Sequence, residues 1–167
     1  MFIRWIEECV TSAHFSVFLN GEVHGFFAGA RGLKQGDPMS SYLFVLVMKV
    51  LHLILQQFIE QDGDFLYHWR CQELKLFQLC FADDLLLLCK ADVRPMALFS
   101  RALALFATLS SLHTNPHKSQ LIISKVAQGL RDMLIATLGF QEGHLLVKYL
   151  GLPLIASRLS IVDCQPL

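Results

Sequence analysis

The chain has 167 residues, of which 54% are hydrophobic and 17% charged, and its formal net charge is zero. Ordinary soluble domains are about 25% charged, so this chain is apolar for its size, which excludes intrinsic disorder. Zero net charge excludes a free-standing electrostatic nucleic-acid-binding protein, and the length allows one domain or a piece of one.

The first elements predicted along the chain are a helix and a β-hairpin. Residues 2–12 carry a weak helical pattern. The β-rich runs Phe15–Leu19 and Val23–Ala28 then flank Asn20-Gly21. An Asn-Gly pair between apolar runs is the strongest short signal for a hairpin, so we expect two antiparallel strands here.

A long helix is predicted to follow a basic, glycine-containing loop, Arg31–Gly36. Asp37 is a favourable N-cap residue and Pro38 suits the first helical turn. Apolar residues recur at helical spacing from Leu43 onward, so the helix is expected to end near Glu60.

Shorter strands and helices are predicted for the rest of the chain. Asp62–Asp64 is expected to be a turn, a helix is expected to begin at Pro95, and a second to span Ala127–Thr137. The predicted strands are Phe65–Trp69, Leu74–Phe81, Leu85–Cys89, Leu121–Ser124 and Leu145–Tyr149. This order favours an α+β fold, with an antiparallel sheet covered by helices.

Neither a membrane span nor a disulfide framework is expected. Lys49 and His52 interrupt the most apolar run, Tyr42–Leu55, and a spanning helix needs about 18–20 apolar residues. The five cysteines are odd in number and include no CxxC pair, which favours free, mostly buried thiols in a soluble, intracellular protein. Trp5 and Trp69 suit stacking on nucleic-acid bases, but burial is the expectation for both.

Two segments carry the residues best suited to chemistry. Asp83 and Asp84 lie side by side between apolar runs. They fit a solvated hairpin tip, and they equally fit a site for Mg²⁺, which needs one or two carboxylates plus substrate phosphates. In the loop before the long helix, Gly32 and Gly36 flank Lys34 and Gln35, and small residues let the backbone approach a ligand closely.

Together these segments resemble the reverse transcriptases of non-LTR, LINE-type retrotransposons, especially those of plants. RGLKQGDPMSSYLF at Arg31–Phe44 is similar to the family's motif B, and FADD at Phe81–Asp84 is similar to motif C. SLHTNPHKSQL at Ser111–Leu121 resembles motif D, and KYLGLPL at Lys148–Leu154 resembles the segment on the primer-grip side.

The resemblance implies a partial polymerase palm over residues 1–156, with a truncated tail at 157–167 and with the fingers and most of the thumb absent. It implies RNA-templated addition of deoxynucleotides to a DNA primer, with Mg²⁺, or Mn²⁺ in its place, held by Asp83 and Asp84. Lys118 would act on the leaving pyrophosphate. The residues implied to contact the nucleotide and template are Arg31, Gly32, Lys34, Gln35, Gly36, Asp37, Pro38 and Ser40.

One departure from the family pattern bears on activity. The family has a further aspartate upstream of motif B, in motif A, and no Asp precedes Arg31 here. We therefore expect these residues to be inactive alone, unless a partner chain supplies the missing parts. The alternative interpretation is a non-enzymatic remnant that binds a protein or RNA.

Overall fold

The structure, a computed structural model, describes residues 1–29, 32–124, 126–143, 148–149 and 152–153. The chain divides into two compact units, Met1–Lys49 and Val50–Leu167. Helices and short strands alternate along the described residues, and the predicted α+β class is confirmed. The elements are α1 Phe2–Thr11, β1 His14–Leu19, β2 Glu22–Ala28, α2 Pro38–Asp62, β3 Gln78–Phe81, β4 Asp84–Leu87, α3 Val93–Ser110, β5 Gln120–Ile122, α4 Gln128–Leu138, β6 Gln141–Gly143, β7 Lys148–Tyr149 and β8 Leu152–Pro153.

The predicted hairpin of the first unit is confirmed. β1 and β2 are antiparallel, and Leu19 pairs with Glu22 across a turn made only of Asn20 and Gly21. Both turn residues have positive φ, 51° and 90°, as a type I′ turn requires. Near its open end the ladder shifts register opposite Gly25, whose φ of 69° marks a bulge.

Much apolar surface of the first unit is exposed. α1 has no buried residue, and every residue of β1 and β2 is exposed. Phe18 and Phe26 keep 72% and 77% of their surface exposed. Aromatic side chains on this hairpin are therefore left exposed by the residues that the structure describes.

Helix α2 begins at Pro38, as predicted, and ends at Asp62, slightly beyond the expected Glu60. It is longer than the uninterrupted apolar run in the sequence because the helix continues through Lys49 and His52. By length and composition alone it is able to cross a membrane, with a mean hydropathy of 1.8 over its best window. The uninterrupted apolar run alone predicts no helix of this length, and the core helix of a soluble protein has the same length and composition.

Most buried apolar side chains of the second unit lie on α2 and α3. Leu51, Leu55 and Phe99 are almost fully buried, and the rings of Phe65 and Phe99 lie 5.6 Å apart. Full burial of such a side chain stabilises the fold by about 1.5–3 kcal/mol. A second cluster centres on Met96, Leu121 and Leu134, and it joins α3, β5 and α4.

The segment before β3 differs from its prediction. Neither Phe65–Trp69 nor most of Leu74–Phe81 forms a paired strand, and only Gln78–Phe81 does so. Instead, the amide of Cys71 donates to the carbonyl of His68 at 2.8 Å, and the amide of Leu76 donates to the carbonyl of Cys71 at 3.0 Å. These turn hydrogen bonds replace a strand ladder. Phe65 is buried through its packing on α3.

The strands form separate pairs in the described part of the chain: β1–β2, β3–β4, β5–β6 and β7–β8. The pair β5–β6 is parallel, whereas an antiparallel sheet was expected. Of the predicted strand Leu145–Tyr149, only 148–149 is described, as β7, and the predicted tail 157–167 lies outside the described residues.

The thiols are also less buried than predicted. Cys9 and Cys80 are exposed, Cys71 and Cys89 are half-buried, and all four are free. Leu85–Leu88 is half-buried as well, because β4 pairs with β3 alone among the described strands.

Candidate functional site

The hairpin β3–β4 carries the predicted carboxylate pair at its tip. Phe81 pairs with Asp84, so only Ala82 and Asp83 connect the two strands. Ala82 takes a φ of 49°, the left-handed region that two-residue hairpin turns use. Asp83 in the turn and Asp84 at the start of β4 are both exposed. The predicted bend is confirmed, and it presents two adjacent carboxylates to solvent.

Cys80 lies beside these carboxylates. Its Sγ donates to the carbonyl oxygen of Ala82 at 3.5 Å, which ties the thiol to the turn. Partial burial raises the pKa of the Cys80 thiol, and the negative charges of Asp83 and Asp84 raise it further. Both carboxylates thus lie close enough to affect the same thiol, so negative charge is concentrated at the hairpin tip.

The carboxylate pair fits one hard divalent cation. Mg²⁺ retains several waters and is held through one or two carboxylates together with substrate phosphates, and two exposed carboxylates meet that need. A second ion needs further ligands. In the part of the chain that the structure describes, no group of three or more His, Cys, Asp or Glu side chains is placed to hold a metal.

The loop before α2 forms a compact turn within the first unit. The amide of Asp37 donates to the carbonyl of Lys34 at 3.3 Å, which makes Gln35 and Gly36 the central turn residues. Gly36 has a φ of 82° at the third turn position, where a type II turn needs glycine. The turn leaves Lys34 and Gln35 exposed.

Asp37 and Ser40 fix this turn to the first turn of α2. The Asp37 carboxylate accepts from the amide of Met39 at 2.8 Å, so the predicted N-cap is confirmed. The Ser40 hydroxyl donates to the carbonyl of Lys34 at 2.6 Å. The loop residues 32–40 are therefore held at the positive end of a helix, which favours anionic groups. Arg31, also predicted for this site, lies outside the described residues.

Lys118 stands on an exposed loop between α3 and β5. Its amide donates to the carbonyl of Asn115 at 3.1 Å, and the Asn115 side chain accepts from the amide of His117 at 3.0 Å. None of the ion pairs and hydrogen bonds formed among the described residues joins Lys118 to Asp83 or Asp84.

A contact that sequence reasoning missed supports the hairpin. His52 Nδ1 of α2 lies 3.2 Å from Gln78 Oε1 at the start of β3, and its ring stacks on Phe77 with centroids 5.3 Å apart. The available signal was His52 itself, a polar residue set within the apolar stretch of α2. The contact ties the base of β3 to the long helix.

Comparison with known proteins shows the family of this chain. The family described as reverse transcriptase (RNA-dependent DNA polymerase) matches residues 1–154. The retrovirus-related Pol polyprotein from the type-1 retrotransposable element R2 of Popillia japonica is 30% identical over 125 residues, which cover 75% of this chain and 20% of that protein. An uncharacterized mitochondrial protein of Arabidopsis thaliana is 44% identical over 66 residues, which cover 40% of this chain and 54% of the relative.

The family match confirms the resemblance drawn from the motifs. The two relatives, a retrotransposon polyprotein and a plant mitochondrial protein, are consistent with it. The aligned part of the chain spans a fifth and about half of the two relatives' lengths. No solved structure gives a significant match.

Proposed function

Because this chain belongs to the reverse transcriptase family, we propose that it is part of the palm of an RNA-directed DNA polymerase of a LINE-type retrotransposon. The observation that carries the proposal is the tip of the β3–β4 hairpin. A two-residue turn there presents Asp83 and Asp84 side by side on two paired strands.

The proposed role of Asp83 and Asp84 is to hold one Mg²⁺, which Mn²⁺ can replace. A divalent ion at such a site polarises phosphoryl oxygens and neutralises developing charge. The hairpin ladder keeps both carboxylates at fixed positions, and exposure leaves room for a nucleoside triphosphate and for water.

The loop at the start of α2 is proposed to contact the incoming deoxynucleotide and the RNA template. Lys34 supplies a positive charge for a phosphate, and Gln35 can hydrogen-bond to a sugar or a base edge. Gly32 and Gly36 keep this backbone free of side chains, and Asp37, Pro38 and Ser40 hold its shape. Arg31 adds a second cation by resemblance, and Lys118 would act on the leaving pyrophosphate.

We propose further that these 167 residues do not extend a primer by themselves. Two-metal catalysis uses one ion at the attacking oxygen and one at the leaving oxygen. Asp83 and Asp84 are too few ligands to hold two ions, so further carboxylates are needed. No Asp precedes the Arg31 motif. A partner chain that brings a carboxylate would complete the site.

Titration with Mn²⁺, followed by water-proton relaxation, tests the metal site. We expect saturable binding to the full chain, and we expect Asp83→Asn to weaken it by about tenfold or more, as loss of metal-site residues does. Asp64→Asn is the control, because the Asp64 side chain is 81% exposed and pairs with Arg94 rather than standing beside a second carboxylate. Equal binding by all three proteins would show that the hairpin holds no ion.

Primer extension on an RNA template tests the predicted lack of activity. With Mg²⁺ or Mn²⁺ and all four deoxynucleotides, we expect no templated product from the purified chain. A templated product that disappears in Asp83→Asn would overturn that part of the proposal while supporting the metal site.

A further inference from the structure

Trp5 and Trp69 were both expected to be buried, but Trp5 is 58% exposed and Trp69 is more exposed still. Trp69 keeps 71% of its surface accessible and lies in the turns between α2 and β3. A large aromatic ring in water is a ready surface for stacking. None of the residues assigned to the metal site or to the nucleotide loop uses it.

A cation lies on this ring. The Arg70 guanidinium carbon is 4.7 Å from the centroid of the Trp69 ring, within the range of a cation–π contact. The His68 ring lies 5.9 Å from the Trp69 ring at a tilt of 35°. With 71% of the side chain accessible, the guanidinium covers at most one face, and an aromatic surface stays open beside a positive charge.

The turn that carries Trp69 and Arg70 is braced from within. The Arg70 amide donates to His68 Nδ1 at 3.3 Å, and the Cys71 amide donates to the His68 carbonyl at 2.8 Å. Cys71 Sγ lies 3.9 Å from the same Nδ1. These contacts fix the backbone on both sides of Trp69, so less conformational freedom is lost when a ligand stacks on it.

Both ends of this loop are hydrogen-bonded to the residues that follow β4. The Leu88 amide donates to the Phe77 carbonyl at 2.8 Å, and the Lys90 amide donates to the Leu66 carbonyl at 2.9 Å. The loop therefore leaves the open end of the β3–β4 hairpin, whereas Asp83 lies at its tip. A strand rises about 3.3 Å per residue, so the four residues of β3 separate the two ends by about 13 Å.

The charges of the loop favour an anionic ligand. Arg70 and Lys75 take part in none of the ion pairs found among the described residues. Glu73 is the acidic residue between them. Single-stranded nucleic acid matches this combination, because its bases stack on aromatic rings while its phosphates meet arginine and lysine.

We propose that Trp69 and Arg70 form a stacking site for an unpaired base of single-stranded nucleic acid, with Arg70 and Lys75 facing its phosphates. The inference rests on the proposed function, since it identifies a place where the template or primer strand touches the chain away from Asp83.

The two tryptophans of the chain allow a direct test. In the Trp5→Phe variant the emission comes from Trp69 alone, and in the Trp69→Phe variant it comes from Trp5 alone. We expect a 12-nucleotide oligo(dT) or oligo(U) to quench the emission of the first variant saturably and to leave the second nearly unchanged. Trp69→Ala should weaken binding, measured by anisotropy of a labelled strand, by about 5- to 150-fold.

The nature of the contact is resolved by two further variants. Arg70→Gln should weaken binding and make its salt dependence shallower, whereas Glu73→Gln should leave binding unchanged or strengthen it. Unquenched Trp69 in a strand-bound chain would overturn the proposal, and so would equal affinity of Trp69→Ala or the absence of any binding. If duplex binds as tightly as single strand, phosphate contact replaces stacking and the proposal also fails.

The Mn²⁺ titration separates this inference from the proposed function. Loss of Mn²⁺ binding in Asp83→Asn with no quenching of Trp69 would leave the metal site standing and remove the stacking site alone. Quenching of Trp69 without any Mn²⁺ binding would support the stacking site and remove the metal site.

Discussion

Ser40 and Lys34 are joined by a hydrogen bond in which the serine hydroxyl donates to the lysine carbonyl at 2.6 Å. The same carbonyl accepts from the amide of Asp37 at 3.3 Å. A single backbone oxygen thus holds both the turn and the first helical residues. Ser40 and Asp37, which the resemblance assigns to nucleotide contact, also shape the loop, because both donate hydrogen bonds to the Lys34 carbonyl.

Replacement of Ser40 by alanine should loosen this loop. Ser40→Ala removes one of the two donors to the Lys34 carbonyl, and a hydrogen bond of this kind contributes about 0.5–1.5 kcal/mol. We expect faster amide hydrogen exchange at Asp37 and a lower midpoint of urea unfolding. Ser41→Ala is the matched control, because Ser41 is an exposed neighbour on the same helix. Equal exchange in both variants would show that the bond does not hold the turn.

Replacement of Phe99 should destabilise the second unit severely. Phe99 is only 2% exposed and packs on Phe65, so Phe99→Ala leaves a cavity and should cost about 3–5 kcal/mol. Leu109→Ala on the same helix should change the free energy of unfolding by less than about 0.5 kcal/mol, since surface substitutions rarely do more. Leu109 is 65% exposed. Similar unfolding midpoints for the two variants would contradict the assigned core.

The features predicted correctly from sequence depend on neighbouring residues. Asn20 and Gly21 both adopt the positive φ angles that their turn needs. The Asp37 side chain caps α2, which begins at the next residue, Pro38. Both are local effects, since the residues concerned lie within a few positions of one another. The adjacency of Asp83 and Asp84 is of the same kind, because a two-residue turn keeps them together whatever surrounds it.

The features that sequence failed to predict depend on distant partners. Phe65 has a β-favouring composition around it, yet its ring packs on Phe99 of α3, and turns follow it where a strand was expected. The parallel pairing of β5 with β6 joins Gln120 to Gln141, with α4 between them in sequence. Hydrophobic pattern alone carries no information about either partner.

Burial was the least predictable property of the functional residues. Tryptophan is a large apolar residue, which favours burial. The exposure of Trp69 follows from the turn hydrogen bonds around His68. Conversely, the assignment of Lys118 came only from the family resemblance, and the described contacts neither support nor contradict it.

Stability should fall at high pH through Cys89. Burial chiefly, and the charge of Asp92 in addition, raise the pKa of the Cys89 thiol to about 12, from a usual value of 9.0. Above the usual pKa the unfolded chain releases this proton while the folded chain keeps it, so the unfolded state is favoured. The contribution is complete below pH 9.0 and is lost as pH rises toward about 12.

Urea unfolding between pH 8 and pH 10.5 measures this effect. Cys89→Ala should lose less stability over that interval than the unmodified chain, and Cys9→Ala, at an exposed thiol, should behave like the unmodified chain. Identical pH dependence in all three would show that Cys89 titrates normally in the folded state.

The apolar surface of the first unit predicts self-association of the isolated chain. Phe18 and Phe26 stand exposed on a hairpin in which every strand residue is exposed. Exposed apolar patches of this kind mark contact surfaces or sites of aggregation. The high hydrophobic fraction of the sequence is thus explained in part by side chains that are exposed in the described part of the chain.

Light scattering coupled to size-exclusion chromatography measures that association over a range of concentrations. The apparent mass should rise with concentration, and Phe18→Thr with Phe26→Thr should lower it, because threonine keeps β-propensity while it removes the rings. Glu22→Gln with His24→Thr on the same hairpin is the matched control and should leave the association in place. A unit that exposes its rings in this way should also bind a hydrophobic dye. A monodisperse monomer at every concentration, with cooperative thermal unfolding and no dye binding, would mean that these rings are covered in solution.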